Sequence, residues 1–174
     1  MATATVGVFA LVVGLTLVAL QVAERLPVVF PVHPRTRARL AELGLEGLLA
    51  RAPRLRCVAP LRYREGLSLL AASAVLLTDS GGLQEESSFL GVPCLTLRSN
   101  TERPVTVTLG TSTLVGDTLD QVLPLIDAVL AGRYKRGAPI PGWDGRAAER
   151  VADALIEAWG DAGAALPISR ACAR

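Results

Sequence analysis

Residues 74–97 read AVLLTDSGGLQEESSFLGVPCLTL, and the order of the parts decides the fold. An apolar run, AVLLT at 74–78, stops at Asp79, Ser80 and two glycines. The next ten residues, 81–90, have the length and composition of a short helix. VPCLTL at 92–97 is a second apolar run. Short continuous apolar runs bounded by turn residues suit strands covered on both faces. A strand–helix–strand succession joins parallel strands by a right-handed crossover.

The same alternation extends in both directions. Upstream, LPVVFPV at 26–32 reads as a strand, 36–49 as a polar helix, 55–59 as a strand and 63–72 as a helix with Leu67, Leu70 and Ala71 on one face. Leu83, Phe89 and Leu90 are expected in the core. Downstream come a loop at 99–104, a short helix to 109, a strand at 113–116 and a helix at 119–130 that Pro124 is expected to bend. A Pro/Gly-rich turn at 137–142 leads to a last helix at 145–159. The expected class is α/β with one open, doubly wound parallel sheet. Three segments are expected: an apolar start at 1–22, the sheet domain at 23–160, and a tail at 161–174.

Composition narrows the chemistry. In 174 residues, 51% are apolar and 4% aromatic, so the core is aliphatic. The formal net charge is +2. The basic residues are nearly all scattered arginines, which form no stripe for nucleic acid. One histidine, His33, excludes a multi-histidine metal site. Cys57, Cys94 and Cys172 have neither disulfide-framework nor metal-ligand spacing. The first two lie in apolar runs and are expected as buried thiols, and a reducing cytoplasm is the natural compartment. Residues 1–23 carry no charge. The preferred reading is a strand at 5–12 turning at Gly14 into a buried helix that ends near Arg25. The alternative is membrane contact through residues 6–20, an anchor slightly short of the about 20 residues a spanning helix needs.

Ligands of such sheets bind beyond the carboxyl ends of the strands. Three loops there are suited to an anion. Thr78-Asp79-Ser80-Gly81-Gly82 opens a helix, so unpaired amides point outward and two residues without side chains let a phosphate approach. The plain alternative is a capped helix. Arg103, in Asn100-Thr101-Glu102-Arg103-Pro104, follows the next strand and brings a guanidinium able to grip phosphate through two hydrogen bonds. Glu85 and Glu86 are adjacent and face different directions around the helix, so they are not a catalytic pair. One of them can turn a carboxylate toward ribose hydroxyls. His33, in Val32-His33-Pro34-Arg35-Thr36, is either a ligand contact or a cap of the following helix.

Taken together, LTDSGGLQEESSFLGVPCLTLR, SNTERP and LGTSTLVG, with VVFPVHPRTRARL before and PGWDGRAAERV after, resemble the non-hydrolysing UDP-N-acetylglucosamine 2-epimerases over roughly residues 22–157. The resemblance implies the C-terminal, Rossmann-like half of a GT-B fold, in which two such domains face across a cleft and this one holds UDP. It implies interconversion of UDP-GlcNAc and UDP-ManNAc by elimination and re-addition of UDP, without a dissociable cofactor, in the supply of cell-envelope polysaccharides. By position, Ser80, Gly81 and Gly82 would bind the diphosphate, Glu86 the ribose and Arg103 the nucleotide's charge. The chain departs from the pattern in three places. The HR-x-EN type motif ahead of the PVHP strand is replaced by the apolar start. The carboxylates that exchange the C2 proton belong to the other domain. Gly66 stands where many members place an aromatic over the uracil. The expected partners are UDP-GlcNAc or UDP, and either a second copy or a complementing N-terminal half. The alternatives are a catalytically inactive UDP-sugar-binding remnant and a membrane-anchored variant.

Overall fold

The computed structural model describes residues 3–116 and 120–159, the side chains of 3–12 excepted. Two compact units divide the chain, Met1–Ala138 and Pro139–Arg174. In the first, α1 (Thr3–Ala23) leads into β1 (Val28–Pro31), α2 (Pro34–Glu42), α3 (Glu46–Arg51), β2 (Leu55–Val58), α4 (Tyr63–Ala71), β3 (Leu76–Thr78), α5 (Gly81–Leu90), β4 (Cys94–Thr96), α6 (Pro104–Thr108), β5 (Ser112–Leu114) and α7 (Val122–Leu130). All strand pairings are parallel, as expected.

The single sheet is not what forms. β1 pairs with β2, and β3, β4 and β5 pair in that order, as two separate sheets. α1 serves both. Val18 and Val22 pack with Leu95, Leu97, Val115, Val122 and Ile126 of the three-stranded side. One position round the helix, Ala19 and Ala23 pack with Val32, Leu40, Leu49 and Leu55.

The strand expected at 5–12 is therefore wrong, since the backbone there is already helical. An apolar run of that length carries no period to separate strand from helix. A lone glycine costs a helix only about 1 kcal/mol, so α1 runs on through Gly14. Among the described residues no helix is long and apolar enough to cross a membrane.

The helix expected at 36–49 is two. Gly44 takes φ +67°, the left-handed backbone that favours glycine. Its amide bonds Ala41 O at 3.0 Å, and the Leu45 amide bonds Leu40 O at 2.9 Å. That reciprocal pair closes α2. Pro124 falls in the first turn of α7, where its absent N–H has no helical partner to lose. Cys94 is buried but Cys57 is exposed, because β2 buries only its first residue fully.

Gly110 is buried where α6 meets β5. A Cβ there would fall on Ser88 Oγ and lie 2.6 Å from the Thr106 carbonyl oxygen. Backbone cannot yield as a side-chain tip does, so Gly110→Ala is expected to lose about 1–3 kcal/mol as an overpacked site. Thermal unfolding should show Tm falling by several degrees, and an unchanged Tm would contradict this packing.

In the second unit α8 (Ala147–Trp159) buries none of its residues. The turn before it is braced by Asp144, which accepts the Arg146 amide at 3.0 Å and takes Arg150 Nη1 at 2.9 Å on each oxygen. That amide above all, and then Arg150, hold the Asp144 carboxyl below its ordinary range. The brace is therefore present at neutral pH and is lost only as acid protonates it. The tail expected at 161–174, with Cys172, lies outside the described residues.

Candidate functional site

The helix expected at 81–90 forms as α5, and the end of β3 delivers Ser80 as its N-cap in extended backbone. Ser80 N donates to Thr78 Oγ1 at 3.1 Å. The Ser80 hydroxyl makes no capping bond to the helix. The amides of the first turn have no helical acceptors, so the loop presents donors without satisfying them itself. This differs from an ordinary capped helix, in which the serine oxygen takes an amide of that turn.

Arg103 comes to the same place. A Cβ built on Gly81 would meet Arg103 Cγ at 3.9 Å, so the arginine stem lies against the first residue of α5. Arg103 Nε pairs with Glu85 Oε1 at 3.1 Å. Among the described residues no other partner engages the guanidinium, and its two terminal nitrogens make no protein contact there. Both side chains are nearly half exposed, so this ion pair contributes only about 0–1 kcal/mol to stability. Its consequence is orientation.

The Arg103 loop is tied down from beneath by residues that sequence reasoning missed. Gln84 is fully buried in α5. Its Oε1 accepts from Thr101 Oγ1 at 2.7 Å, and Thr106 Oγ1 lies 3.5 Å away. Thr101 Oγ1 in turn accepts the Arg103 amide at 3.0 Å, and Thr106 Oγ1 donates to the Arg103 carbonyl at 2.7 Å. Arg103 is thus held at its amide, its carbonyl and its Nε. A signal was present: Gln84 and Ser87, three apart, form the fully buried stripe of α5, a polar inner face. Phe89 and Leu90, expected in the core, are exposed for that reason, Phe89 at 72%.

Thr101→Val removes the hydroxyl that joins Gln84 to the Arg103 amide and keeps the side-chain volume. It leaves a buried carbonyl without its best donor, and Gln84 Nε2 is already buried without a protein partner. The expected loss is about 1–3 kcal/mol, visible as a lower denaturant midpoint. An unchanged midpoint would show that the tie carries no weight.

Glu86 is half-buried one residue beyond Glu85. His33 follows β1, a strand of the other sheet. It is the N-cap of α2, and its Nδ1 accepts the Arg35 amide at 3.3 Å. The structure thus shows its capping role. A cavity of about 390 Å³ beside it, lined by Val32, Arg37, Leu40, Glu46, Leu49 and Cys57 among others, contains none of the expected site residues. No cluster of metal-ligating side chains occurs among the described residues.

The family model for UDP-N-acetylglucosamine 2-epimerase matches residues 12–156. The chain belongs to this family. Among its relatives, the UDP-N-acetylglucosamine 2-epimerase of Methanocaldococcus jannaschii is 40% identical over 124 residues, covering 71% of this chain and 33% of that protein. A UDP-2,3-diacetamido-2,3-dideoxy-D-glucuronate 2-epimerase of Pseudomonas aeruginosa is 37% identical over 131 residues, 75% of this chain and 35% of that one. The M. jannaschii 2-epimerase solved with UDP-GlcNAc and UDP superposes with TM-score 0.71 at 35% identity, over 87% of this chain and 41% of that one. The Neisseria meningitidis 2-epimerase bound to UDP-GlcNAc gives TM-score 0.70 at 28% identity, over 84% and 40%. The fold is thus that of the Rossmann-like C-terminal half of these 2-epimerases. The chain spans about a third of the length of the curated relatives it matches.

Proposed function

We propose that this chain binds UDP-N-acetylglucosamine through its UDP moiety and forms the nucleotide-holding half of a 2-epimerase. The observation that carries this is the Arg103 side chain lying against Gly81, so that one anion can meet both the free amides of α5 and a guanidinium. A helix N-terminus alone contributes about 0.3–1 kcal/mol toward an anion, too little to hold a diphosphate. The cation beside it makes the site sufficient.

In this reading Ser80, Gly81 and Gly82 take the diphosphate, Arg103 neutralises it, and Glu86 accepts from the ribose hydroxyls. Departing UDP gathers negative charge, and donors already in place lower the barrier to its departure. The two relatives act, by their names, on different sugars attached to UDP, and the chain matches both to a similar degree. What those names share is UDP, which supports assigning this half to the nucleotide. The residues that move the C2 proton come from a complementing half. The compartment in this reading is the reducing cytoplasm, where cysteines without disulfide-framework spacing stay as thiols.

Calorimetry with UDP and with uridine tests the reading. UDP is expected to bind at least about tenfold more tightly, a difference of about 1.4 kcal/mol. Equal affinity, or no heat with millimolar UDP, would remove it. Rigorously pure chain that turned over UDP-GlcNAc unaided would contradict the division of labour.

A further inference from the structure

We propose that Gln84 is a positioning residue for nucleotide binding, which registers the Arg103 guanidinium against the amides of α5. This role rests on the reading above, in which those amides and Arg103 share one diphosphate. It adds what holds the two in place relative to each other.

Gln84 belongs to both sides of the site. Its backbone amide donates to Ser80 O at 3.2 Å, the bond that closes the first turn of α5 behind the amides offered to the anion. Its side chain leaves the helix for the loop that carries Arg103. There Oε1 accepts the Thr101 hydroxyl at 2.7 Å, and Thr101 Oγ1 accepts the Arg103 amide at 3.0 Å. Two hydrogen bonds in series thus run from the helix to the arginine backbone. Thr106 does not replace this link, since its one proton favours Arg103 O at 2.7 Å over Oε1 at 3.5 Å. The next residue of α5, Glu85, holds Arg103 Nε at 3.1 Å. The helix therefore fixes the arginine at its root through Gln84 and near its tip through Glu85.

Stability does not explain a glutamine at this position. Gln84 is fully buried, and its Nε2 has no protein partner among the described residues. A buried donor left unpaired is destabilising, and methionine would fill a similar space with nothing to satisfy. Ser87, on the same buried face, shows the contrast, because its Oγ donates to Gln84 O within the helix. The short side-chain bond of Gln84 goes instead to the Arg103 loop. A local rule broken without a structural return marks a functional position. The return here is pre-organisation: a guanidinium already in register with the amides needs no rearrangement when a diphosphate arrives.

UDP calorimetry on variants of the full chain tests the role. Gln84→Met and Thr101→Val cut the tie from either side, and each is expected to weaken UDP at least about threefold, the net contribution of one hydrogen bond. Uridine, which offers no phosphate, should keep its affinity. Thr101→Ser retains the hydroxyl and should stay within about twofold of wild type. In an Arg103→Ala background Gln84→Met should change UDP affinity by no more than about twofold, because the group that it places is gone. A full loss in that background would overturn the proposal, since Gln84 would then act on α5 rather than through Arg103. UDP affinity unchanged in both single variants would overturn it as well. Circular dichroism checks each fold, and if Gln84→Met does not fold, Thr101→Val paired with Arg103→Ala reads the same tie. Wild-type chain giving no heat with UDP would remove the nucleotide reading itself, whereas UDP binding indifferent to both cuts removes the Gln84 role alone.

Discussion

Arg103→Ala is expected to weaken UDP binding by about 10- to 150-fold. A hydrogen bond to a charged group contributes about 1.5–3 kcal/mol, and each 1.4 kcal/mol is a factor of ten. The upper part of that range is expected, because Glu85 would lose its partner at 3.1 Å and face the incoming diphosphate as a bare carboxylate. Arg103→Lys should fall between, since an ammonium supplies charge without the planar fork. Thermal stability should hardly move in either variant, as the ion pair is nearly half exposed. Calorimetry checks the first expectation and a melting curve the second. An affinity loss below about threefold for Arg103→Ala would place the diphosphate elsewhere.

Gly66→Phe is expected to act in the opposite direction and tighten UDP binding by about 5- to 150-fold. Gly66 sits in α4, which packs on α5, and a Cβ there meets nothing within 4 Å. The family resemblance places an aromatic over the uracil at this position, and base–aromatic stacking contributes about 1–3 kcal/mol. The substitution also removes a helix-interior glycine, which costs up to about 1 kcal/mol relative to alanine, so the fold should tolerate it. Inorganic pyrophosphate separates stacking from any general change at the anion site. UDP should gain affinity and pyrophosphate should not. A gain for both, or for neither, would contradict placing the base over α4.

The parts of the site that proved legible in sequence were those fixed by local chemistry. The strand stop at Asp79, the paired glycines and the following helix are contiguous, and α5 begins and ends at the expected residues. That Arg103 reaches the same edge follows from parallel strands, whose carboxyl ends all point one way. What was illegible depended on tertiary contacts. The start of α1 is apolar all round, so no pattern separated strand from helix. The split of the sheet arises between residues far apart in sequence. Gln84 and Thr101 are seventeen residues apart, and only folding shows that one hydroxyl joins them to the Arg103 amide. Phe89 and Cys57 were misplaced for the same reason: an apolar residue in an apolar run is buried only if something covers it.

The most direct test of the central claim is a UDP titration followed at the amide resonances of Gly81 and Gly82 and at the Arg103 side-chain Nε. With wild-type chain, all three are expected to shift together and saturate at one concentration, and Arg103→Ala should move the amide transitions to higher UDP. Amides and guanidinium titrating at different concentrations, or glycine amides that stay still while UDP binds, would mean that no common anion bridges α5 and Arg103.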